Sequence, residues 1–409
     1  MLTKLWKVVR DAIDKWLAYD SFPPTVIETD ERKIIVYDGL PPEANAMALA
    51  MFSRSPKSYL IHLAEVLKKG WQKFMAQFYV GYNHKSIGDC GSTTICVEGS
   101  SMLAAKAIQD NELYSGQEVS TRYVKNVRKV LNPLGTKDGE EIQSTWMSLY
   151  SKVLKEMVVY FTNKYPALPS DNPREYAKAI EAMAFDIARG FLPAGSINNV
   201  GWHTNLRQAW DHTFEMLFHL LPEVRDNANA ILSSLQQRYP SSFNFKRYPE
   251  QDAFMRECAK LKYWNSPHSI EFSFKHSIDV EALQNHVLLN TRPVKTELPN
   301  WYSHYGQLHF EFLLDFGSYR DLQRHRSCTQ SMPLLTTDHG WNSWYTDSLP
   351  SDLKWYVMKI LHDQQIRIDG IEDPLVRQYY VAMGYNVTCK LTAELPSAIV
   401  VRRVDVPRR

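Results

Sequence analysis

Between Tyr59 and Phe78 the apolar side chains Leu60, Leu63, Leu67, Trp71, Phe74 and Phe78 recur at steps of three and four, which predicts one long amphipathic helix. The same spacing links Trp146, Leu149, Val153, Met157 and Tyr160. That helix is expected to end before Pro166, because proline disfavours helical backbone in the residue preceding it. From Leu308 to Phe316 the rhythm changes to two: Phe310, Phe312, Leu314 and Phe316 alternate with His309, Glu311, Leu313 and Asp315, as in a strand with one buried face. At the N-terminus Leu5, Trp6, Val9, Ile13, Trp16 and Leu17 form a helical stripe, but Lys4, Lys7, Arg10, Asp11, Asp14 and Lys15 leave no continuous apolar core. It is not read as a signal peptide, and its charges of mixed sign favour a helix packed on its own domain over a membrane-surface helix. No stretch is long and apolar enough to span a bilayer.

Two segments far apart share a plan. STTICVEGSSMLAAKAIQDNE and FEFLLDFGSYRDLQRHR each read as a strand, a small-residue turn (Gly99, Ser100 and Gly317, Ser318) and a helix reaching Gln109 or Gln323. Gln323 lies 214 positions after Gln109, too long a period for a solenoid and suited to a duplicated domain. The seam is expected in the polar, proline-bearing stretch RYPSSFNFKRYPEQ, giving domains 1–240 and 241–409. The copies differ where it matters. The second carries Arg324, His325 and Arg326, where the first has Asp110, Asn111 and Glu112; the first continues into QEVSTRY with Glu118, Ser120 and Arg122.

Composition narrows the classes. A chain of 409 residues, 44% hydrophobic and 22% charged, can bury two cores. A net charge of +2 argues against a global nucleic-acid-binding surface, so anion recognition must come from local arginines. The run RYVKNVRKV, with Arg122, Lys125, Arg128 and Lys129, reads as a solvated helix face. Cys90, Cys96, Cys258, Cys328 and Cys389 are odd in number and form no CxxC, which supports neither a disulfide framework nor a zinc site and fits a reducing, cytoplasmic setting. Arginine is permanently charged and presents a planar fork to phosphate or carboxylate, so two arginines around a histidine make an anion-recognising element. A solvated basic helix end is the plainer alternative.

At these residues the chain resembles the flavin-dependent thymidylate synthases, whose signature joins an Arg-His-Arg triplet to a downstream Ser-x-Arg-Tyr. Here the signature is split: Glu118, Ser120, Arg122 and Tyr123 keep the downstream part, while Arg324, His325 and Arg326 keep the triplet, with Leu334 and Thr336 where serine and arginine would follow. Family enzymes assemble each site from several subunits of a homotetramer. The resemblance therefore implies an α+β fold in two tandem copies, each with helices packed on a small antiparallel sheet, and a homodimer acting as a pseudo-tetramer.

Other positions follow the same likeness. YNHKSIGDC resembles a flavin-contacting element and offers His84, Ser86 and Asp89; HTNLRQAW offers Asn205 and Arg207. With Glu223 fixing the register, Met216 stands where the family has an arginine that stabilises charge on the pyrimidine, and Arg402 or Arg403 near the C-terminus is the expected replacement. The family glutamine three residues before the triplet is Asp321 here, with Gln323 adjacent to the triplet instead.

The implied activity is methylene transfer from methylenetetrahydrofolate to C5 of dUMP, with FAD as cofactor and NADPH supplying hydride. Arg324, His325 and Arg326 would serve flavin and nucleotide phosphate; Glu118, Ser120, Arg122 and Gln323 would serve the nucleotide. Methylation or hydroxymethylation of another nucleotide such as dCMP, or a noncatalytic nucleotide-binding relative, stays open at this level.

Overall fold

The computed structural model describes residues 25–28, 33–37, 39–122, 129–262, 272–284, 286, 289, 291–293, 296–331 and 334–398. The N-terminal stripe, most of RYVKNVRKV and both Arg402 and Arg403 lie outside them. Two compact units are present. One comprises the described residues up to Thr93 with Thr204–Thr213 and Ile231–Lys246; the other comprises Thr94–His203, Phe214–Ala230 and the described residues from Arg247 onward.

The first unit opens with an antiparallel pair, β1 (Thr25–Glu28) and β2 (Lys33–Val36). Helices α1 (Pro42–Phe52) and α2 (Tyr59–Lys69) pack through Ala44, Met47, Ala48 and Val66. The long helix expected from Tyr59 to Phe78 is broken. Gly70 ends it at φ 74, in the left-handed region that glycine enters without Cβ strain, and the chain restarts as Gln72–Phe74 and a π-helical Met75–Gly81. The period of three and four continues across the break because both pieces turn apolar faces inward; Trp71 and Phe74 still reach the same core as Val66. The stretch from residue 238 to 251 joins two helices, and within it Ser242 and Phe243 are fully buried, Ser242 donating to the buried Glu43.

The second unit holds two small sheets. Strands β3 (Ser92–Ser101), β4 (Ser115–Glu118) and β5 (Ile197–Asn205) are ordered β3-β5-β4. Strands β6 (Ser273–His276), β7 (Gln307–Asp315), β8 (Cys328–Ser331) and β9 (Asn386–Glu394) are ordered β6-β7-β9-β8, each neighbour antiparallel. Without its edge strand β6, the second sheet has the order of the first. The intervening elements correspond too. Helix α3 (Met102–Gln109) follows β3 as α4 (Phe316–Leu322) follows β7, and α5 (Lys137–Lys164) with α6 (Pro173–Ala188) matches α7 (Ser351–Asp369) with the short α8 (Pro374–Arg377). Each set closes through a 3-10 turn, Arg189–Phe191 or Gln378–Tyr380, into the central strand.

The match by position is at the helix caps and not at the Gly-Ser pairs. Ser101 and Asp315 cap α3 and α4 by accepting from the backbone N–H of Ala104 and Ser318, and they too are 214 positions apart. Gly99 and Ser100 belong to the end of β3, whereas Gly317 and Ser318 lie in the first turn of α4; the strand expected to reach Phe316 stops at Asp315. The two copies meet through equivalent residues. Pro193 pairs with Ala382; Ala194 N–H donates to Val381 O and Met383 N–H donates to Leu192 O, both at 2.9 Å. Gly195 N–H to Tyr379 O and Gly384 N–H to Gly190 O repeat the exchange one step outward, so each bond has a counterpart 189 positions along. That reciprocity is what an isologous contact between duplicated domains produces. The compact units therefore cut across the repeats.

Helix α5 confirms its periodicity: Trp146, Leu149, Val153 and Met157 are buried, and the helix stops at Lys164, ahead of Pro166. Trp146 Nε1 donates to Tyr380 O at 2.9 Å and Gln143 Nε2 to Tyr379 O at 2.9 Å, tying the first copy's long helix to the second copy's turn. Among the described residues no helix is long and apolar enough to cross a membrane. All five cysteines are free.

Candidate active site

Helix α3 is buried on every side, and its one charged residue, Lys106, is fully buried among alanines. A charge there requires partners. Lys106 Nζ lies 3.2 Å from Glu118 Oε1, and Arg320, its equivalent in α4, places Nη2 3.0 Å from the same oxygen. Gln109 Nε2 and Asn198 Nδ2 donate to Glu118 Oε2 at 2.9 and 3.3 Å. Burial acts most strongly on the Glu118 carboxyl and would raise its pKa, but Arg320, Lys106 and the hydrogen bonds together outweigh it and hold the group at about 2. Burial pushes the Lys106 ammonium down to about 8, opposed by Glu118 and reinforced by Arg320. Both partners are charged at neutral pH.

Glu118 was expected to face the nucleotide. Its side chain is 3% exposed and its oxygens are occupied, so it acts as the internal counterion of two cations, one from each copy. Ser120 and Arg122 follow it out of the core. Arg122 forms a two-bond fork with Asp186, Nε to Oδ1 at 2.5 Å and Nη2 to Oδ2 at 2.9 Å, while its N–H donates to Ser120 Oγ at 3.2 Å. Asp186 lies in the last turn of α6, and the C-cap that follows is Arg189, whose Nη1 donates to Asp321 Oδ2 at 2.9 Å. Asp321 Oδ1 in turn lies 3.7 Å from Arg324 Nη2. Burial would raise the Asp321 carboxyl; Arg189, Arg324 and Arg320 more than offset it and keep it below the usual range. Arg122 also feels the Asp321 charge. Arg122 pairs with Asp186 and Arg324 with Asp321, and Arg189 ties Asp321 to the end of α6, with Arg122 and Arg324 still 44% and 56% exposed and able to meet a ligand.

The triplet itself lies past the end of α4 and not on it. Gln323 caps the helix, and the turn that follows carries Arg324, His325 and Arg326. His325 O accepts from Gln330 Nε2 at 3.1 Å, and the Arg326 guanidinium sits over the Tyr114 ring at 5.2 Å. Between the kept triplet and the acidic residues of the first copy is a cavity of ≈ 300 Å³, bordered by Gln109, Asp110, Lys262, Gln323, Arg326 and Gln330 among others. Lys262 spans Asp110 and Glu215, both at 2.8 Å. Thr329 donates to Glu112 at 2.9 Å, so of the acidic residues that replaced a triplet Glu112 is held by Thr329 and Asp110 by Lys262.

The other expected flavin contacts lie in the first unit. Arg207 Nη1 pairs with Asp89 at 3.0 Å and its Nε approaches Asp211 at 3.5 Å, while Lys85 takes the other Asp211 oxygen at 2.9 Å. Asn205 accepts from Gln208 N–H at 2.8 Å and so caps the helix Leu206–Met216. Ser86 and His84 are exposed around the turn Lys85–Gly88, with His84 6.0 Å from the Tyr82 ring. Asp89 and Arg207 are brought together; the Arg207 charge is balanced by two aspartates, which suits hydrogen bonding to a ligand more than binding its phosphates. Met216 is buried at 2% exposure, and Glu223 holds Ser101 and Tyr379 through bonds of 2.6 to 2.9 Å, a joint between the copies.

Lys106, Asp186, Arg189, Arg320 and Lys262 were absent from the residues expected at the site. Lys106 had a visible signal, a lone charge in the otherwise apolar MLAAKAIQ.

A duplicated α+β protein with buried and half-buried ion pairs joining its copies is the class that fold and site define. Residues 35–241 match the sequence model of the thymidylate synthase complementing protein family, the flavin-dependent thymidylate synthases, and the chain belongs to that family. It is similar to a UPF0159 protein of Chlamydia muridarum, 27% identical over 376 residues with 75% of this chain and 69% of that protein covered. A UPF0159 protein of Chlamydia pneumoniae is 26% identical over 367 residues with the same coverage. One from Thermoplasma acidophilum is 21% identical over 408 residues, covering 81% of each. These shares exceed what the first 240 residues alone can supply, so the likeness extends into the second copy. Family membership gives the chain a thymidylate-synthase-related function in nucleotide biosynthesis.

Flavin is the cofactor that the family implies, and the residues fit it in part. Arg324 and Arg326 supply guanidinium forks of the kind a pyrophosphate takes. A cavity of ≈ 300 Å³ suits a ring system and not a whole dinucleotide.

Proposed function

We propose that the chain transfers a one-carbon unit to C5 of a pyrimidine deoxynucleotide, converting dUMP to dTMP with methylenetetrahydrofolate, FAD and NADPH, at one composite site per chain. The observation that carries this reading is a run of ion pairs, Arg122–Asp186 from the first copy beside Arg189–Asp321–Arg324, which reaches the triplet of the second copy. In this reading the two guanidinium groups take the nucleotide phosphate, and Asp186, Arg189 and Asp321 hold them in place. Ser120 adds a hydroxyl at the same turn. Arg326 and His325 hold the flavin, which when bound supplies the redox chemistry. Asn205, Arg207, Asp89, Ser86 and His84 are the first unit's candidates for flavin contact, and Arg402 or Arg403 for charge stabilisation on the ring. Two chains would pair as a pseudo-tetramer of four repeats.

Asp321 occupies the position of the family glutamine and is engaged by Arg189, so the base is read elsewhere and dCMP is tested beside dUMP. The test supplies protein with FAD, NADPH, methylenetetrahydrofolate and either nucleotide, then weighs the nucleotide products. A methyl gain on dUMP supports the reading; no mass change with either base overturns it.

A further inference from the structure

The long helices α5 and α7 are equivalent residue by residue, yet their outer faces differ. Leu131 N–H donates to Gly195 O at 3.0 Å and Asn342 N–H donates to Gly384 O at 2.9 Å, while Val130 pairs with Ser196 as Trp341 pairs with Tyr385. The entries to the two helices are therefore 211 positions apart. At that offset Ile142, Trp146, Tyr150 and Met157 match Leu353, Val357, Leu361 and Ile368, and all of them are buried. The same offset sets the exposed Ser144, Ser151 and Lys155 of α5 against the exposed Trp355, His362 and Ile366 of α7. Trp355 and Ile366 are 72% and 60% exposed, and Met358 on the same side is 49% exposed. Eleven residues make three helical turns to within about 20°, so Trp355 and Ile366 share one stripe. A single exposed apolar residue needs no explanation. A stripe of them on a helix whose duplicate is polar at the same places is not required by the fold, and it marks a contact surface.

We propose that the outer face of α7 is where two copies of this chain meet, helix against helix, antiparallel about a two-fold axis at the level of Leu361. Charge complementarity selects this occupant. Lys359 and Asp363 are both exposed and stand two residues to either side of Leu361. An antiparallel mate centred there sets Lys359 opposite the partner's Asp363 on one flank of the contact, and the two-fold axis makes that pairing twice. A parallel mate in register would set lysine against lysine and aspartate against aspartate. In the antiparallel register Trp355, six residues from the centre, lies beside the partner's Ile366, five residues from it. The face is thus self-complementary, with an aromatic anchor at one end and an aliphatic side chain to receive it at the other. A tryptophan buried in this way is the kind of residue that dominates an interface. The proposal rests on the duplication and not on the chemistry proposed above, and its surface is made by the second copy alone.

Sedimentation equilibrium of the full chain over a range of concentrations provides the test. The native chain should show an association step that the double variant Trp355→Ser, Ile366→Lys weakens by about 100-fold. Serine and lysine are what α5 carries at the equivalent positions, so the fold accepts them. Lys359→Asp and Asp363→Lys should each weaken the same step by about tenfold or more, because each sets like charges opposite one another. Mixed in equal amounts, the two charge variants should associate at native strength, since the reversed charges then face each other across the axis. Misfolded chains would not recover on mixing. An association step of native strength in Trp355→Ser, Ile366→Lys overturns the proposal and leaves the face to solvent or to a different protein. A native chain with no association step overturns it too, as does a mixture of the charge variants that associates no more strongly than either one.

Discussion

Lys106 and Arg320 occupy the same turn of equivalent helices, 214 positions apart, and reach the same oxygen of Glu118, at 3.2 and 3.0 Å. One copy supplies the carboxylate and one cation, the other supplies the second cation. A buried group of this kind is weak evidence of extra stability, but it is intolerant of losing one member. It also joins the copies two residues before Ser120 in the chain.

Glu118→Gln should lower unfolding free energy by about 3–5 kcal/mol, because it leaves Lys106 and Arg320 buried without a counterion. Urea denaturation followed by circular dichroism measures it. A loss under about 1 kcal/mol would mean that water or relaxation already screens the group.

The same carboxylate sets a pH dependence. Its folded pKa of about 2 lies below the ordinary value of 4.5, so the stabilisation is fully present above about pH 4.5 and fades as the folded state is forced to take up a proton toward pH 2. The stability gap between the native chain and Glu118→Gln should therefore narrow across that window. A gap that stays constant from pH 6 to about 2.5 would show that the carboxyl is not depressed.

Arg122→Ala and Arg324→Ala should each weaken dUMP binding by about 10- to 100-fold, the scale of one charge-assisted contact to phosphate. Deoxyuridine, which lacks the phosphate, should bind both variants and the native chain alike. Titration calorimetry at two salt concentrations separates these cases, since the phosphate-dependent part alone weakens with salt. Equal losses for the nucleoside would move the arginines away from the phosphate.

Much of this was legible in the chain. The offset of 214 positions, seen first at Gln109 and Gln323, holds at the caps Ser101 and Asp315 and at Lys106 and Arg320, because strand, cap and helix are local structures written in short-range pattern. The periodicity of α5 likewise set both its buried face and its end. What local pattern does not contain is partner choice. Glu118 looked like a ligand contact because it stands in QEVSTRY, yet its burial is decided by Arg320, about 200 residues away. Gly70 was read through because the apolar period continues past it, although a positive φ there ends the helix. The Gly-Ser pairs matched in letters and not in place, since one closes a strand while the other opens a helix.

The central claim is that Arg122 and Arg324 belong to one site within one chain. Co-expression of Arg122→Ala and Arg324→Ala chains carrying different affinity tags, with isolation of the mixed oligomer, tests it through flavin-dependent conversion of dUMP. If the arginines act within the chain, every chain in the mixture is defective, and turnover stays at the level of either variant alone. Recovery of a substantial fraction of native turnover in the mixed oligomer would show that the site is shared between chains and would contradict the account.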